Sequence, residues 1–174
     1  RDTIVLLDEA YIEFAAPAHQ IDGPALVRRF PNVVVLRTFS KAYGLAGLRI
    51  GYGFGAPALI RQLWTMQLPF GMAITGLAAV TACYDAEAQL QQRIRRIRAE
   101  RRQLRMRLRA AGVYSTDAHA NFVYLPSAGG SWREVFDAAR PGLPRVRHYA
   151  DGAVRITVGG RASTTAVLAA ISSR

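Results

Sequence analysis

Thr38-Phe39-Ser40-Lys41-Ala42-Tyr43-Gly44-Leu45-Ala46-Gly47-Leu48-Arg49-Ile50-Gly51-Tyr52 contains the single lysine of a 174-residue chain whose other basic residues, among 23 Lys and Arg, are all arginine. Guanidinium stays protonated at any workable pH and is a poor nucleophile. An amine, partly desolvated, can lose its proton and attack a carbonyl. Lys41 is therefore a candidate Schiff-base former. A lone lysine is ordinarily a solvated surface residue, so its neighbours decide the matter.

The run Val33-Val34-Val35-Leu36, opened by Pro31-Asn32, reads as a buried strand of a parallel sheet. Lys41 then lies just past the carboxyl end of a strand, where open α/β sheets place their ligands. Thr38 and Ser40 flank it with hydroxyls. Gly44 and Gly47 permit close backbone approach, and Arg49 offers a charge-assisted fork. A lysine for an aldehyde beside Thr38, Ser40 and Arg49 for a phosphate describes a site for pyridoxal 5'-phosphate (PLP).

A second strand, Thr3-Ile4-Val5-Leu6-Leu7, ends in Asp8-Glu9-Ala10-Tyr11. PLP acts as an electron sink when a carboxylate keeps its pyridine nitrogen protonated. Asp8 is the candidate for that carboxylate, against the plainer reading of a turn or helix-capping residue. Tyr11 is placed to donate to the ring's phenolic oxygen.

Together, Asp8-Glu9-Ala10-Tyr11 and Ser40-Lys41-Ala42-Tyr43-Gly44-Leu45-Ala46-Gly47-Leu48-Arg49 resemble the fold-type I aminotransferases. The nearest likeness is the histidinol-phosphate aminotransferase family with its aromatic (phenylalanine) branch, from Thr3 to about Ala170. The resemblance implies an α/β fold: part of a large PLP-binding α/β domain over residues 1–88, a connecting long helix over 89–112, and a small α+β domain over 113–174. It also implies a homodimer in the cytoplasm, with amino-acid and 2-oxo-acid substrates and 2-oxoglutarate as acceptor. A first strand that already carries the catalytic Asp8 suggests the carboxyl-terminal half of a longer enzyme. The remainder would hold a phosphate-binding loop, a ring-stacking aromatic residue and an Asn beside the ring oxygen.

Arg155 lies in the apolar run Val154-Arg155-Ile156, where an unmatched charge is costly. A bound anion would match it, and the resemblance makes it the substrate-carboxylate arginine. Arg147 would face a histidinol phosphate group or only solvent, and Asn121 would sit near the substrate. Histidinol phosphate needs an extra cationic seat, whereas an aromatic amino acid needs an apolar slot. The stretch Ala120-Asn121-Phe122-Val123-Tyr124-Leu125-Pro126 favours the aromatic branch, with histidinol phosphate as the alternative.

Elsewhere the chain reads as follows. Ala25–Arg29 is a short helix, and 49–55 is a strand with Gly at alternate positions. A helix from Pro57 to about Met66 precedes an apolar loop over 67–72 and an Ala-rich helix over 73–84. In the long helix over 89–111, Leu90, Ile94, Ile97, Leu104 and Leu108 form a stripe on which Arg101 also falls, and Gly112 ends it. Strands follow at 121–125, 145–148 and 154–158, with Asp151-Gly152 as the turn between the last two. Helices are expected from Ser131 to Ala139 and from Ala162 to Ile171.

Net charge is +11 and 51% of residues are hydrophobic. No apolar run reaches transmembrane length. Cys83 is the only cysteine, so no internal disulfide can form, which fits a reducing compartment. His19, His119 and His148 are isolated, without metal-ligand spacing. The positive charge raises the alternative of a nucleic-acid-binding or interaction domain without catalysis. The arginine-rich helix lacks the interleaved aromatics and polar base-readers that reading needs, so small molecules, and neither nucleic acid nor membrane, are the expected partners.

Overall fold

The computed structural model describes residues 3–127, 131–136, 143 and 146–173. The chain divides into two compact units, Arg1–Gln91 and Gln92–Arg174.

In the first unit, strands β1 (Val5–Asp8), β2 (Val33–Thr38) and β3 (Gly51–Gly55) form a sheet in the order β1-β2-β3. β1 and β2 run parallel with Asp8 opposite Leu36. β3 is antiparallel to β2, with Thr38 opposite Gly51. The sheet is thus mixed where a parallel one was expected, because the lysine loop turns the chain back with no crossover helix. Val33, Val34 and Val35 are buried, as the β-branched run requires. Between β1 and β2 lie two 3-10 turns (Ile12–Phe14 and Pro17–His19) and helix α1 (Gly23–Arg29). Asp22 caps α1 by accepting from the Ala25 amide at 2.9 Å, and Pro24 fits its first turn. Helices α2 (Pro57–Trp64) and α3 (Ile74–Asp85) follow β3.

Helix α4 (Glu87–Ala110) begins two residues earlier than expected and stops one short. Gly112, at φ +73°, takes the left-handed conformation that ends it, and the Val113 amide donates to the Leu108 carbonyl at 2.9 Å. Leu104 and Leu108 enter the core of the second unit.

That core is built on strands β4 (Phe122–Leu125), β5 (Val146–His148) and β6 (Val154–Thr157), all antiparallel in the order β4-β6-β5. Val123, Leu125, Val154 and Ile156 are completely buried on one face. Helix α5 (Arg161–Ser172) adds Val167 and Ile171. The Asp151-Gly152 turn forms as expected: Gly152 has φ +86° and Asp151 Oδ1 accepts from the Ala153 amide. The expected helix from Ser131 is a turn through Phe136, with Ser131 Oγ accepting from the Arg133 amide at 3.1 Å. Its remainder, residues 137–139, lies outside the described residues, as do Arg145 and 128–130 of the preceding loop. Among the described residues no helix is long and apolar enough to cross a membrane.

Candidate active site

Strand pairing places the first group of nominated residues. Side chains alternate between sheet faces, so Asp8, Leu36, Thr38, Gly51 and Gly53 share one face at the carboxyl ends of β1 and β2. This face is open: Asp8, Leu36, Gly51 and Gly53 are all exposed. A side chain on Gly51 would meet the Arg37 carbonyl at 2.8 Å, so the backbone is bare there of necessity. Asp8 Oδ1 accepts from the Ala10 amide at 2.9 Å. That bond makes the turn residue anticipated as the plainer reading, and it leaves Oδ2 for a further donor.

The lysine loop is anchored from inside. Phe39 and Ala42 are buried, while Lys41 between them is half-buried. The Phe39 amide donates to the Ile50 carbonyl at 3.1 Å, the Leu45 amide to the Phe39 carbonyl at 2.9 Å, and Gly44 turns the chain at φ +78°. Helix α3 rests against Ile50 at Gly76, where a Cβ would collide with the Ile50 side chain. Lys41 Nζ lies 5.3 Å from the centre of the Tyr11 ring, a cation–π distance. The strand ends thus carry Asp8, Tyr11 and Lys41 to one sheet edge.

The phosphate candidates are less uniform. Thr38 Oγ1 accepts from the Ser40 amide at 3.1 Å and donates to the Ile50 carbonyl at 3.3 Å. Its one proton is spent, so Thr38 shapes the loop and has no donor left for a phosphate while that bond holds. Arg49 is exposed in a left-handed conformation, φ 54°, with Nη1 on the Ala46 carbonyl at 3.0 Å. The Phe39–Ile50 bond sets Ser40 and Arg49 at the mouth of the same loop.

The opposite face of the sheet carries charge that sequence reasoning missed. Glu9 is 5% exposed and accepts from Arg37 Nε at 2.8 Å. The Arg37 guanidinium lies 5.5 Å from the Phe54 ring centre. Burial works against its charge, but the hydrogen bond to Glu9 and the influence of nearby Tyr52 outweigh this and raise its pKa. Burial also raises the pKa of Glu13, reinforced by Glu9 and opposed by its own backbone and by Arg37. The Tyr43 phenol is pushed up to about 12, chiefly by burial and next by the Glu13 charge. An arginine directly continuing Val33–Leu36 was the available signal, since a charge in an apolar run demands a partner.

In the second unit, one rung of the small sheet reads Tyr124, Arg155, Arg147. Two guanidinium groups directly opposite one another repel, and Arg155 Nε is buried without a hydrogen-bond partner among the described residues. The Arg155 guanidinium lies 4.8 Å from the Phe122 ring centre, and exposed Arg147 lies 5.5 Å from that of Tyr149. Aromatic rings thus flank a cationic pair that no carboxylate neutralises among the described residues. Asn121 is half-buried, and its carbonyl accepts from the Val158 amide at 2.9 Å. Just before it, the Ala120 carbonyl accepts from Arg101 Nη1 at 2.6 Å. Arg101 is therefore a buried tie from α4 to the start of β4, and its pKa is lowered by burial and by Arg98, Arg105 and Arg102. A cavity of about 700 Å³ in this unit, lined by Arg102, Arg105, Arg109 and Tyr114 among others, contains none of the nominated residues.

The first unit thus sets a lysine beyond one strand and an aspartate at the end of the next, and the second sets a buried arginine nitrogen in a small antiparallel sheet. The profile of the aminotransferase class I and II family matches residues 1–171, and the chain belongs to that family. It is 42% identical over 172 residues to an aromatic amino acid aminotransferase of Rhodococcus jostii, covering 99% of this chain and 47% of that protein. An aromatic amino acid aminotransferase of Mycobacterium tuberculosis is 42% identical over 165 residues, covering 95% of this chain and 46% of its own length. The crystal structure of histidinol-phosphate aminotransferase from Sinorhizobium meliloti in complex with pyridoxal-5'-phosphate superposes with a TM-score of 0.84 at 28% identity, covering 98% of this chain and 49% of that one. The chain spans about half the length of the relatives it matches.

Proposed function

We infer that this chain supplies the lysine-bearing part of a PLP-dependent aminotransferase that moves an amino group between an aromatic L-amino acid and 2-oxoglutarate. The observation that carries the reading is the shared sheet edge, with Lys41 Nζ 5.3 Å from the Tyr11 ring centre and Asp8 ending the adjoining strand. The residues present fit the cofactor: a half-buried amine, a carboxylate with one oxygen to spare, and a sheet face kept bare by Gly51 and Gly53. When bound, PLP supplies an aldehyde and an electron-withdrawing ring that makes a substrate carbanion tolerable.

This chain's own groups do the rest. Lys41 is the amine that would hold the cofactor's aldehyde group and, when free, would carry a proton as general base. Asp8 Oδ2 would accept the ring N–H, and Tyr11 would orient the opposite edge. Ser40 and Arg49 would hold the phosphate, with Thr38 fixing the Ser40 amide. Arg155 binds the substrate carboxylate, with Arg147 and Asn121 beside it. In this reading residues 1–88 belong to the large cofactor-binding domain, 89–112 to the connecting helix and 113–174 to the small domain.

The aromatic donor is supported by the relatives at 42% identity and by the rings of Phe122, Tyr124 and Tyr149 around the Arg155 rung. Histidinol phosphate stays as the second reading because Arg147 and Arg155 are cross-strand neighbours able to share a dianion. Steady-state kinetics of the complete enzyme decide between them. A higher kcat/KM for phenylalanine than for histidinol phosphate is expected, and the reverse order would overturn the aromatic assignment. A homodimer in the cytoplasm completes the proposal. The exposed apolar side chains Trp64, Met66, Leu68, Phe70 and Ile74 support a subunit contact.

A further inference from the structure

We propose that Glu9, Arg37 and Tyr52 form a clamp on the back of the sheet that sets the spacing between Asp8 and the Lys41 loop. The clamp deepens the functional reading above and rests on it. Glu9 follows Asp8, Arg37 precedes Thr38, and Tyr52 follows Gly51, so the three are one residue out of step with the front-face residues and point the opposite way. The Glu9 amide donates to the Leu36 carbonyl at 2.9 Å, which extends the parallel pairing one residue past β1. Arg37 lies opposite Tyr52 in the β2–β3 register. One guanidinium therefore stands where the ends of all three strands meet, bonded through Nε to Glu9 at 2.8 Å and facing Tyr52 as its cross-strand neighbour.

Each tie reaches the front within one or two residues. Glu9 fixes the peptide that orients Asp8. Tyr52 packs its ring 5.9 Å from that of buried Phe39, two residues before Lys41. Arg37 fixes the backbone leading into Thr38, whose hydroxyl receives the Ser40 amide. Among the described residues Glu9 Oε1 is buried without a partner, so Arg37 is the carboxylate's one hydrogen-bond donor there. The space around Oε1 is held open by Gly23, where a Cβ would lie 2.8 Å from it. A charge pair with half its acceptors unused is poor as a stabilising device. It is well suited to fixing geometry, because a near-isosteric neutral partner keeps the shape and loses the charge-assisted grip.

The test uses Glu9→Gln and Arg37→Lys in the complete enzyme. Hydrogen exchange on the cofactor-free protein reads the Ala10 and Ser40 amides, which report Asp8 and the lysine loop, against Val34 in the core. Both variants are expected to lose about tenfold protection at Ala10 and Ser40 with Val34 unchanged. With PLP added, the dissociation constant rises about tenfold and the pH midpoint of the bound cofactor's absorbance band moves. Uniform loss of protection, or a lower melting temperature with unchanged exchange at Ala10 and Ser40, means a merely structural pair and overturns the clamp. Should Ala10 and Ser40 respond while the wild type binds no PLP, the clamp stands as a device of the strand ends and the functional reading fails separately.

Discussion

At the residue scale, Glu13 makes a prediction whose sign follows from burial. Its folded pKa is raised above the ordinary carboxylate value, chiefly by desolvation. The folded state therefore favours the protonated carboxyl. This contribution is fully present below the unfolded pKa and is lost as pH rises through the folded one. Glu13→Gln keeps the neutral shape, so it should raise the melting temperature at pH 8 by a few degrees and leave it unchanged at pH 4, as read by calorimetry. Arg155 predicts a kinetic effect. Removing a charge-assisted contact worth about 1.5–3 kcal/mol, Arg155→Gln should raise KM for the amino donor roughly 10- to 100-fold, with kcat less affected. The places of Lys41 just past a strand, of Asp8 at a strand end and of Arg155 within a strand were legible in the sequence from the apolar runs beside them. Glu9 and Arg37 were not, since their pairing joins positions 28 residues apart in sequence and appears only once β1 and β2 are set side by side.

At the scale of elements, period and punctuation located most helices and strands to within two residues. The alternation over Gly51–Gly55, the β-branched run of β2 and the stripe on α4 each carry their own signal. The direction of β3 carried none, because a hairpin and a crossover are told apart only by how Phe39, Leu45 and Ile50 pair across the loop. Arg101 shows the same limit. Its place on the apolar stripe was visible, but the carbonyl of Ala120 that satisfies it was not. Leu108, completely buried in the second unit's core, should carry much of the packing of α4. Leu108→Ala is expected to cost about 2–5 kcal/mol, measured by urea unfolding of the complete enzyme. A loss under about 1 kcal/mol would mean that α4 is held chiefly by its arginines.

At the scale of the whole molecule, composition spoke least. A net charge of +11 is compatible with solvated helix faces or with a polyanion partner, and only the residues at the strand ends favour catalysis. The loop between α2 and α3 presents Phe70 fully exposed at φ 56°, an arrangement suited to a subunit contact. Phe70→Asp should shift the complete enzyme toward monomer in sedimentation velocity, and an unchanged dimer would remove this loop from the interface. The central claim is that Lys41 is the amine poised for PLP, and borohydride reduction of the complete enzyme incubated with PLP tests it most directly. Peptide mass spectrometry is predicted to find one reduced pyridoxyl group per chain, on Lys41, absent from Lys41→Ala. A label on another amine, or none on a protein that still transaminates, would contradict the account.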